Sequence, residues 1–307
     1  MSKKVIITSE FFGRYSNEAE KILKSNGFEV IPNPYDKFLN EDEIISIIGE
    51  ADAIICDLEG ITKKVIDNAP NLKVISRRGV GIDSVDIEYA KEKGIKIKRT
   101  LGVVERPVAE LVMAYILQIY RNISESNEEM KNNRWVKLLG RSTEGKVMGI
   151  VGLGNIGIEV ARKAKAFDME VIYSGTRKHE KEKKLGLEYA TFEELLEKSD
   201  IISIHVSLSD STRDMFNYDV MKQMKKQPIL INTARGPIVN EKDLKKALNN
   251  GLVSYAAIDV YDKEPKTDST LVNCDNALLT PHNGTFTKEV FIKMDILAAK
   301  NIIETLC

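Results

Sequence analysis

A fold of the α/β class, with two doubly wound parallel sheets, is predicted by three features of the sequence. Short apolar runs alternate with helix-like stretches along most of the chain, the pattern of strand–helix–strand units. Near the middle, the apolar run Val147–Val151 ends in Gly152-x-Gly154-x-x-Gly157, and a helical pattern follows at once. The length, 307 residues, suits about two domains.

The elements follow in order. Val5–Thr8 reads as a strand, and a helix around Asn17–Lys24 ends before Gly27. Phe28–Ile31 and Ala53–Cys56 read as strands, and between them Asn40-Glu-Asp-Glu43 is a capping box that opens a helix. Leu72–Ser76 is a further strand, and a helix near Val85–Lys93 stops at Gly94 before a strand at Ile95–Ile97. Pro107 suits the first turn of a long apolar helix, Val108–Tyr120. The charged stretch Ser124–Arg134 and Trp135 then lead to the glycine motif. Beyond it come helix Ile156–Phe167, strand Val171–Tyr173 and a second capping box, Thr191-Phe-Glu-Glu194. Ile201–Val206, Ile229–Ile231, Tyr255–Ile258 and Ala277–Leu279 read as strands, with helices near Asp219–Lys225 and Glu241–Leu248. A helix from Thr287 to Leu306 closes the chain. The mid-chain position of the glycine motif implies an inserted domain, 101–284, within a first domain made of 1–100 and 285–307.

A strand, a glycine turn and a helix in that order make a site for the phosphates of a dinucleotide. Gly152 permits the tight turn, Gly154 lets the backbone approach the pyrophosphate, and Gly157 lets helix and strand pack closely. The helix start, Asn155 and Ile156, offers free N–H groups and a positive dipole end.

Composition narrows the partners. Lys and Arg number 45 against 46 Asp and Glu, for a net charge of −1. That balance gives no general attraction to nucleic acid or membrane. Hydrophobic residues make up 43% and charged residues 30%, as in a soluble globular protein. Cys56, Cys274 and Cys307 lie far apart without metal spacing, so they read as reduced thiols of a cytoplasmic protein, and no metal is expected. The N-terminal apolar run is too short for a signal peptide or a membrane span.

Three segments of the second half place a charged or titratable residue just past a strand: Asn232-Thr-Ala-Arg235-Gly236, Ile258-Asp259 to Glu264-Pro265, and Leu278 to Pro281-His282-Asn-Gly284. Ligands of open α/β sheets bind at the carboxyl ends of strands. Together with the glycine motif, Gly79-Val-Gly-Ile-Asp83-Ser-Val-Asp86 and Val108-Ala-Glu110-Leu, these segments resemble the D-2-hydroxyacid dehydrogenase family. That family includes phosphoglycerate dehydrogenases and glyoxylate/hydroxypyruvate reductases. The resemblance covers essentially the whole chain and implies a Rossmann NAD(P)-binding domain inserted into a flavodoxin-like substrate domain.

The resemblance also implies roles. Arg235, Glu264 and His282 match the catalytic set. Reduction of a 2-oxo acid needs a hydride at C2 and a proton for the forming alkoxide. His282 suits the proton because its side chain titrates near neutrality. Glu264 would orient the imidazole and favour its charged form. Arg235 would hold the substrate carboxylate with its guanidinium fork. Asp259 matches a residue that meets the nicotinamide carboxamide; Thr233, Ala234, Val206, Ser207 and Thr212 match segments that line the nucleotide. Ser207 stands where the family usually has proline. Arg77, Arg78, Gly79, Val80 and Gly81 match the turn whose backbone amides bind the substrate carboxylate, and Arg77 matches an arginine of phosphoglycerate dehydrogenases.

In NAD-using relatives an acidic residue after the second strand of the nucleotide domain binds the ribose 2′-OH. Here that region reads Tyr173-Ser174-Gly175-Thr176-Arg177-Lys178, without a carboxylate. Ser174, Thr176, Arg177 and Lys178 suit a 2′-phosphate, so NADP is favoured over NAD. The expected partners are a small 2-oxo or 2-hydroxy acid and a second copy of the chain in a homodimer. A nicotinamide-sensing, corepressor-like binding protein without turnover is the alternative from another class. A phosphite or formate dehydrogenase relative is the alternative among enzymes, and Glu264 argues against formate.

Overall fold

Every strand of the first sheet lies parallel to its neighbours, in the order β2-β1-β3-β4-β5. Those strands are β1 (Lys3–Ile7), β2 (Phe28–Ile31), β3 (Ala53–Cys56), β4 (Val74–Arg77) and β5 (Lys96–Arg99). The computed structural model describes residues 2–176, 181–266 and 268–307. The chain divides into two compact units, Met1–Val104 with Thr285–Cys307, and Glu105–Gly284. The first sheet belongs to the first unit, and its strand order is that of flavodoxin-like proteins.

Composition explains the places in this sheet. β3 reads Ala-Ile-Ile-Cys and is buried at every position, as a strand covered on both faces must be. β5 reads Lys-Ile-Lys-Arg, and its charges guard an edge against unwanted pairing. The closing helix Lys288–Leu306 packs Ala298, Ala299 and Ile302 against Val5, Ile7 and Val74.

The second unit holds β6 (Val147–Val151), β7 (Glu170–Ser174), β8 (Glu188–Tyr189), β9 (Ile201–Ile204), β10 (Ile229–Asn232), β11 (Tyr255–Ile258) and β12 (Ala277–Leu279). Their order is β12-β11-β10-β9-β6-β7-β8, all parallel. Counted from β6, this is the Rossmann arrangement with one strand added. The order reverses between β6 and β9, so the glycine turn after β6 stands at the switch point where ligands of such sheets bind.

Both capping boxes are present: Glu43 N donates to Asn40 at 3.0 Å, and Glu194 N donates to Thr191 at 3.2 Å. Boundaries move where hydrogen bonds finish a preceding helix. β4 starts at Val74 rather than Leu72, because the Leu72 amide donates back to the Ala69 carbonyl. β5 starts at Lys96 rather than Ile95, because the Ile95 amide donates to the Ala90 carbonyl. The charged stretch before Trp135 contains a helix, Ile123–Lys131, with no buried residue. Among the described residues no helix is long and apolar enough to cross a membrane.

Candidate active site

The glycine turn has the shape that a dinucleotide needs. Gly152 has φ +96°, and a methyl there would come within 2.8 Å of the His205 backbone. A methyl on Gly157 would overlap the Gly152 carbonyl, so helix and turn touch directly. Gly154 faces open space, with no atom within 4 Å of an added methyl. Crowding at two glycines and room at the third is the arrangement a close-fitting pyrophosphate requires. The helix Asn155–Ala166 follows, and its N-cap Gly154 supplies no side-chain hydrogen bond. Its first amides are therefore available to an anion. Ile156 packs against the domain core, while Asn155 is exposed.

Around this turn the other expected nucleotide residues differ in availability. The Ser174 carbonyl accepts from the Gly152 amide at 2.8 Å and ties β7 to the turn. Thr176 is exposed; Arg177 and Lys178 lie outside the described residues, as does His179. Val206 is half-buried and Ser207 exposed. Thr212 donates its hydroxyl to the Ser207 carbonyl at 2.7 Å and accepts from the Ser209 amide at 2.8 Å, which closes that loop on itself. His205, beside it, bonds Ser203 through Nε2 at 2.8 Å, and burial pushes its imidazole down to about 3. It stays neutral at physiological pH and serves the sheet.

Asn232, at the end of β10, shapes the next loop. Its side chain accepts from the Ala234 amide at 3.0 Å and donates to the Arg235 carbonyl at 2.9 Å. The Thr233 hydroxyl is buried without a hydrogen-bond partner among the described residues. Such a group is costly unless something meets it, and a nucleotide bound along this strand end would supply that partner. The glycine turn and the Thr233 hydroxyl together fit a dinucleotide cofactor. Arg235 is half-buried, donates Nη1 to the Ala234 carbonyl at 2.7 Å, and its charge is felt at Glu264.

His282 and Glu264 meet directly, with Nδ1 to Oε2 at 2.5 Å. A carboxylate only accepts, so Nδ1 carries the hydrogen, and Nε2 is the nitrogen that Glu264 leaves unengaged. Glu264 also accepts from the Tyr261 amide at 2.8 Å. Burial pushes the Glu264 carboxyl up, but the His282 bond and charge, the Tyr261 amide and Arg235 together hold it below the usual carboxylate range. Asp259, 1% exposed, accepts from Thr280 Oγ1 at 2.5 Å, Asn283 N at 2.6 Å and Gly284 N at 2.8 Å. The carboxamide contact implied for Asp259 would share its carboxylate with these three donors.

In the first unit, the turn after β4 is bound up internally. The Arg78 amide donates to Cys56 and the Gly79 amide to Thr100 Oγ1. The Arg78 guanidinium, 2% exposed, bonds Asp295 at 2.6 Å, Ser9 at 2.8 Å and Asp57 at 2.6 and 2.7 Å, and lies over the Phe291 ring. The Arg78 amide and guanidinium are thus both engaged inside the first unit, as an internal cross-link. Arg77 is buried too, and its Nη1 donates to the Arg78 carbonyl. Val80 and Gly81 continue the turn.

Beside this cross-link Glu59 is 1% exposed, and burial, then the Asp57 charge, push it up to about 7. Its folded value exceeds the ordinary carboxylate value of 4.5, so its stabilising contribution is full below that pH and is lost as pH rises through about 7. Glu59→Gln, which keeps an acceptor for the Asp57 amide, is expected to match wild type near pH 4.5. The variant should become the more stable by an amount that grows to about pH 7 and reaches on the order of 2–3 kcal/mol. Urea melts across this range check it; a constant difference would contradict it.

Residues 113–284 match the model described as "D-isomer specific 2-hydroxyacid dehydrogenase, NAD binding domain". The chain belongs to the D-isomer specific 2-hydroxyacid dehydrogenase family. It is 38% identical to a glyoxylate reductase of Thermococcus litoralis, over 92% of this chain and 90% of that protein. It is also 38% identical to a hydroxypyruvate reductase of Thermotoga maritima, over 87% of this chain and 89% of that protein. The crystal structure of a glyoxylate reductase from Paecilomyes thermophila superposes with a TM-score of 0.88 at 29% identity, covering 98% of this chain and 94% of that one. This 2-hydroxyacid dehydrogenase is thus an oxidoreductase with an NAD-binding Rossmann domain.

Sequence reasoning missed several residues that shape the dehydrogenase's site. Asn232 braces the Arg235 loop, Tyr261 offers its amide to Glu264, and Thr280 with Tyr115 stands behind Asp259. Asn232 and Thr280 were readable in principle, since each is the polar residue that ends an apolar strand. Tyr115 carried no such signal, because an aromatic residue on a buried helix face reads as core.

Proposed function

We propose that the protein reduces a small 2-oxo acid to the D-2-hydroxy acid with NADPH, and that His282 is the acid. The observation that carries this reading is the Nδ1–Glu264 bond at 2.5 Å, which leaves Nε2 for the substrate oxygen. A bound nicotinamide would supply the hydride. His282 donates its Nε2 proton to the oxygen on C2 as negative charge develops there. Glu264 holds the ring and stabilises its charged form, and Arg235 draws the substrate carboxylate with a planar, permanently charged fork. The backbone of Val80 and Gly81, with Arg77, is proposed to take a substrate anion within the first unit.

The relatives named for glyoxylate and hydroxypyruvate reduction support a two- or three-carbon 2-oxo acid. The absence of a carboxylate across 173–178 supports NADP over NAD, and Ser174, Thr176, Arg177 and Lys178 are the residues proposed to meet the 2′-phosphate. Trp135 and Leu139, 80% and 97% exposed, support a homodimer that covers them. The free thiols support a cytoplasmic location.

The test is oxidation of NADPH and NADH by purified protein with glyoxylate, hydroxypyruvate, phosphohydroxypyruvate, pyruvate and branched 2-oxo acids. Turnover with glyoxylate or hydroxypyruvate, and a kcat/KM at least about tenfold higher for NADPH, is expected. Equal use of both cofactors would remove the NADP assignment. Cofactor binding without turnover on any acid would favour a sensor.

A further inference from the structure

Two hydroxyls at the back of the site take no part in the chemistry proposed above. Tyr115, 3% exposed, lies on the helix Glu105–Arg121, and its phenol meets the Thr280 hydroxyl. Thr280 in turn donates to Asp259 Oδ1 at 2.5 Å. A hydroxyl has one hydrogen, so with Thr280's given to Asp259 the Tyr115 phenol must be the donor between the two. The chain therefore runs in one direction, from Tyr115 to Thr280 to Asp259, and ends on a carboxylate.

From that carboxylate the fixing of His282 follows. Asp259 accepts from the amides of Asn283 and Gly284, and its own carbonyl accepts from the His282 amide at 2.8 Å. His282 has φ +56°, a left-handed conformation uncommon for a side chain of its size. Such a backbone persists only where its surroundings over-determine it. The amides of His282, Asn283 and Gly284 all donate to Asp259, and the His282 amide also lies 3.1 Å from the Thr280 carbonyl, which accepts from the Tyr261 hydroxyl at 3.1 Å.

Resting on the reading of His282 as the acid, we infer that Tyr115 and Thr280 are positioning residues. Their hydrogen-bond chain through Asp259 holds the 280–284 backbone so that the His282 ring meets Glu264 and presents Nε2. Nothing but hydroxyl hydrogen bonds distinguishes this role from ordinary packing. Thr280→Val preserves shape and removes the donor; Thr280→Ser preserves the donor and removes a methyl; Tyr115→Phe removes only the outer oxygen.

A displaced acid loses rate rather than ground-state binding, and a shift of about 1 Å can cost about 100-fold. Thr280→Val is expected to lower kcat about tenfold or more, with KM and the NADPH dissociation constant within about twofold of wild type. Thr280→Ser is expected to restore kcat to within about threefold, and Tyr115→Phe to lower it about three- to tenfold. The readout independent of turnover is the 15N imidazole spectrum. The His282 signals, assigned by their loss in His282→Ala and read at a pH where the ring is neutral, should show the hydrogen on Nδ1 in wild type and a tautomer mixture in Thr280→Val.

An unchanged kcat and tautomer in Thr280→Val would overturn the inference, as would a loss that Ser fails to rescue. If Thr280→Val does not fold, by circular dichroism and NADPH titration, Tyr115→Phe decides the matter by the same two readouts. His282→Ala, run alongside, separates the two failures. Normal turnover in it sinks the reading of His282 as the acid, whereas an inactive His282→Ala beside a normal Thr280→Val sinks the positioning chain alone.

Discussion

His282→Ala is expected to leave NADPH binding within about twofold of wild type and to lower kcat by about 100- to 10,000-fold, the range for loss of a positioned general acid. The expectation follows from the geometry on both sides of the ring. Nδ1 is committed to Glu264 at 2.5 Å, so the proton that the imidazolium can give up is the one on Nε2. The glycine turn and the Thr233 hydroxyl, which fit the cofactor, are separate groups that the substitution leaves in place. Single-turnover absorbance of bound NADPH measures the chemical step, and fluorescence titration measures binding. Turnover within about tenfold of wild type would remove His282 from the mechanism. The pH dependence follows in sign from Glu264. Its carboxyl sits below the usual 4.5, so its stabilising charge is present above that pH and is lost only as pH falls through the lower folded value. The pair therefore keeps its carboxylate across the neutral range.

Arg78→Met is expected to cost about 3–5 kcal/mol in the stability of the first unit. The side chain is a hub: one guanidinium binds Asp57 and Asp295 and reaches Ser9. Methionine fills much of the same volume but leaves Asp295, 2% exposed, as a buried carboxylate without its cation. Burial already pushes the Asp295 carboxyl up, and Arg78 is the first cause that pulls it back. Breaking a buried pair from one side costs more than the pair itself contributes, because the orphaned charge stays behind. Arg78→Met/Asp295→Leu should recover a large part of the loss, since both charges then leave together. Urea denaturation followed by circular dichroism measures all three. A loss under about 1 kcal/mol in the single variant would show that Arg78 is no cross-link, and would return it to the residues free to meet a substrate.

The fold was readable because its signals were local and repeated. Buried parallel strands such as Ala53–Cys56 and Ile201–Ile204 are nearly pure apolar runs, and both capping boxes declare their helices. The glycine spacing carries its own geometry, and the crowding at Gly152 and Gly157 with room at Gly154 is what that spacing requires. Short elements without a buried face, such as β8 and the helix Ile123–Lys131, leave no periodicity to detect. Side-chain partners were legible only in part. The meeting of His282 with Glu264, 18 residues apart, follows from the family resemblance that their motifs carry. The Arg78 cross-link was not, because its partners Asp57 and Asp295 lie 21 and 217 residues away. The same holds for Tyr115, which is 165 residues from Thr280. Long-range pairing of this kind depends on sheet order, which no local pattern encodes.

The proposed reaction is hydride transfer to C2 of a 2-oxo acid with a defined hand. The measurement that tests it most directly is reduction of hydroxypyruvate by NADPH carrying deuterium at nicotinamide C4, with the product read by proton NMR and chiral chromatography. D-glycerate with deuterium at C2 is the expected product. L-glycerate, or glycerate without deuterium at C2 from either face of the labelled cofactor, would contradict it.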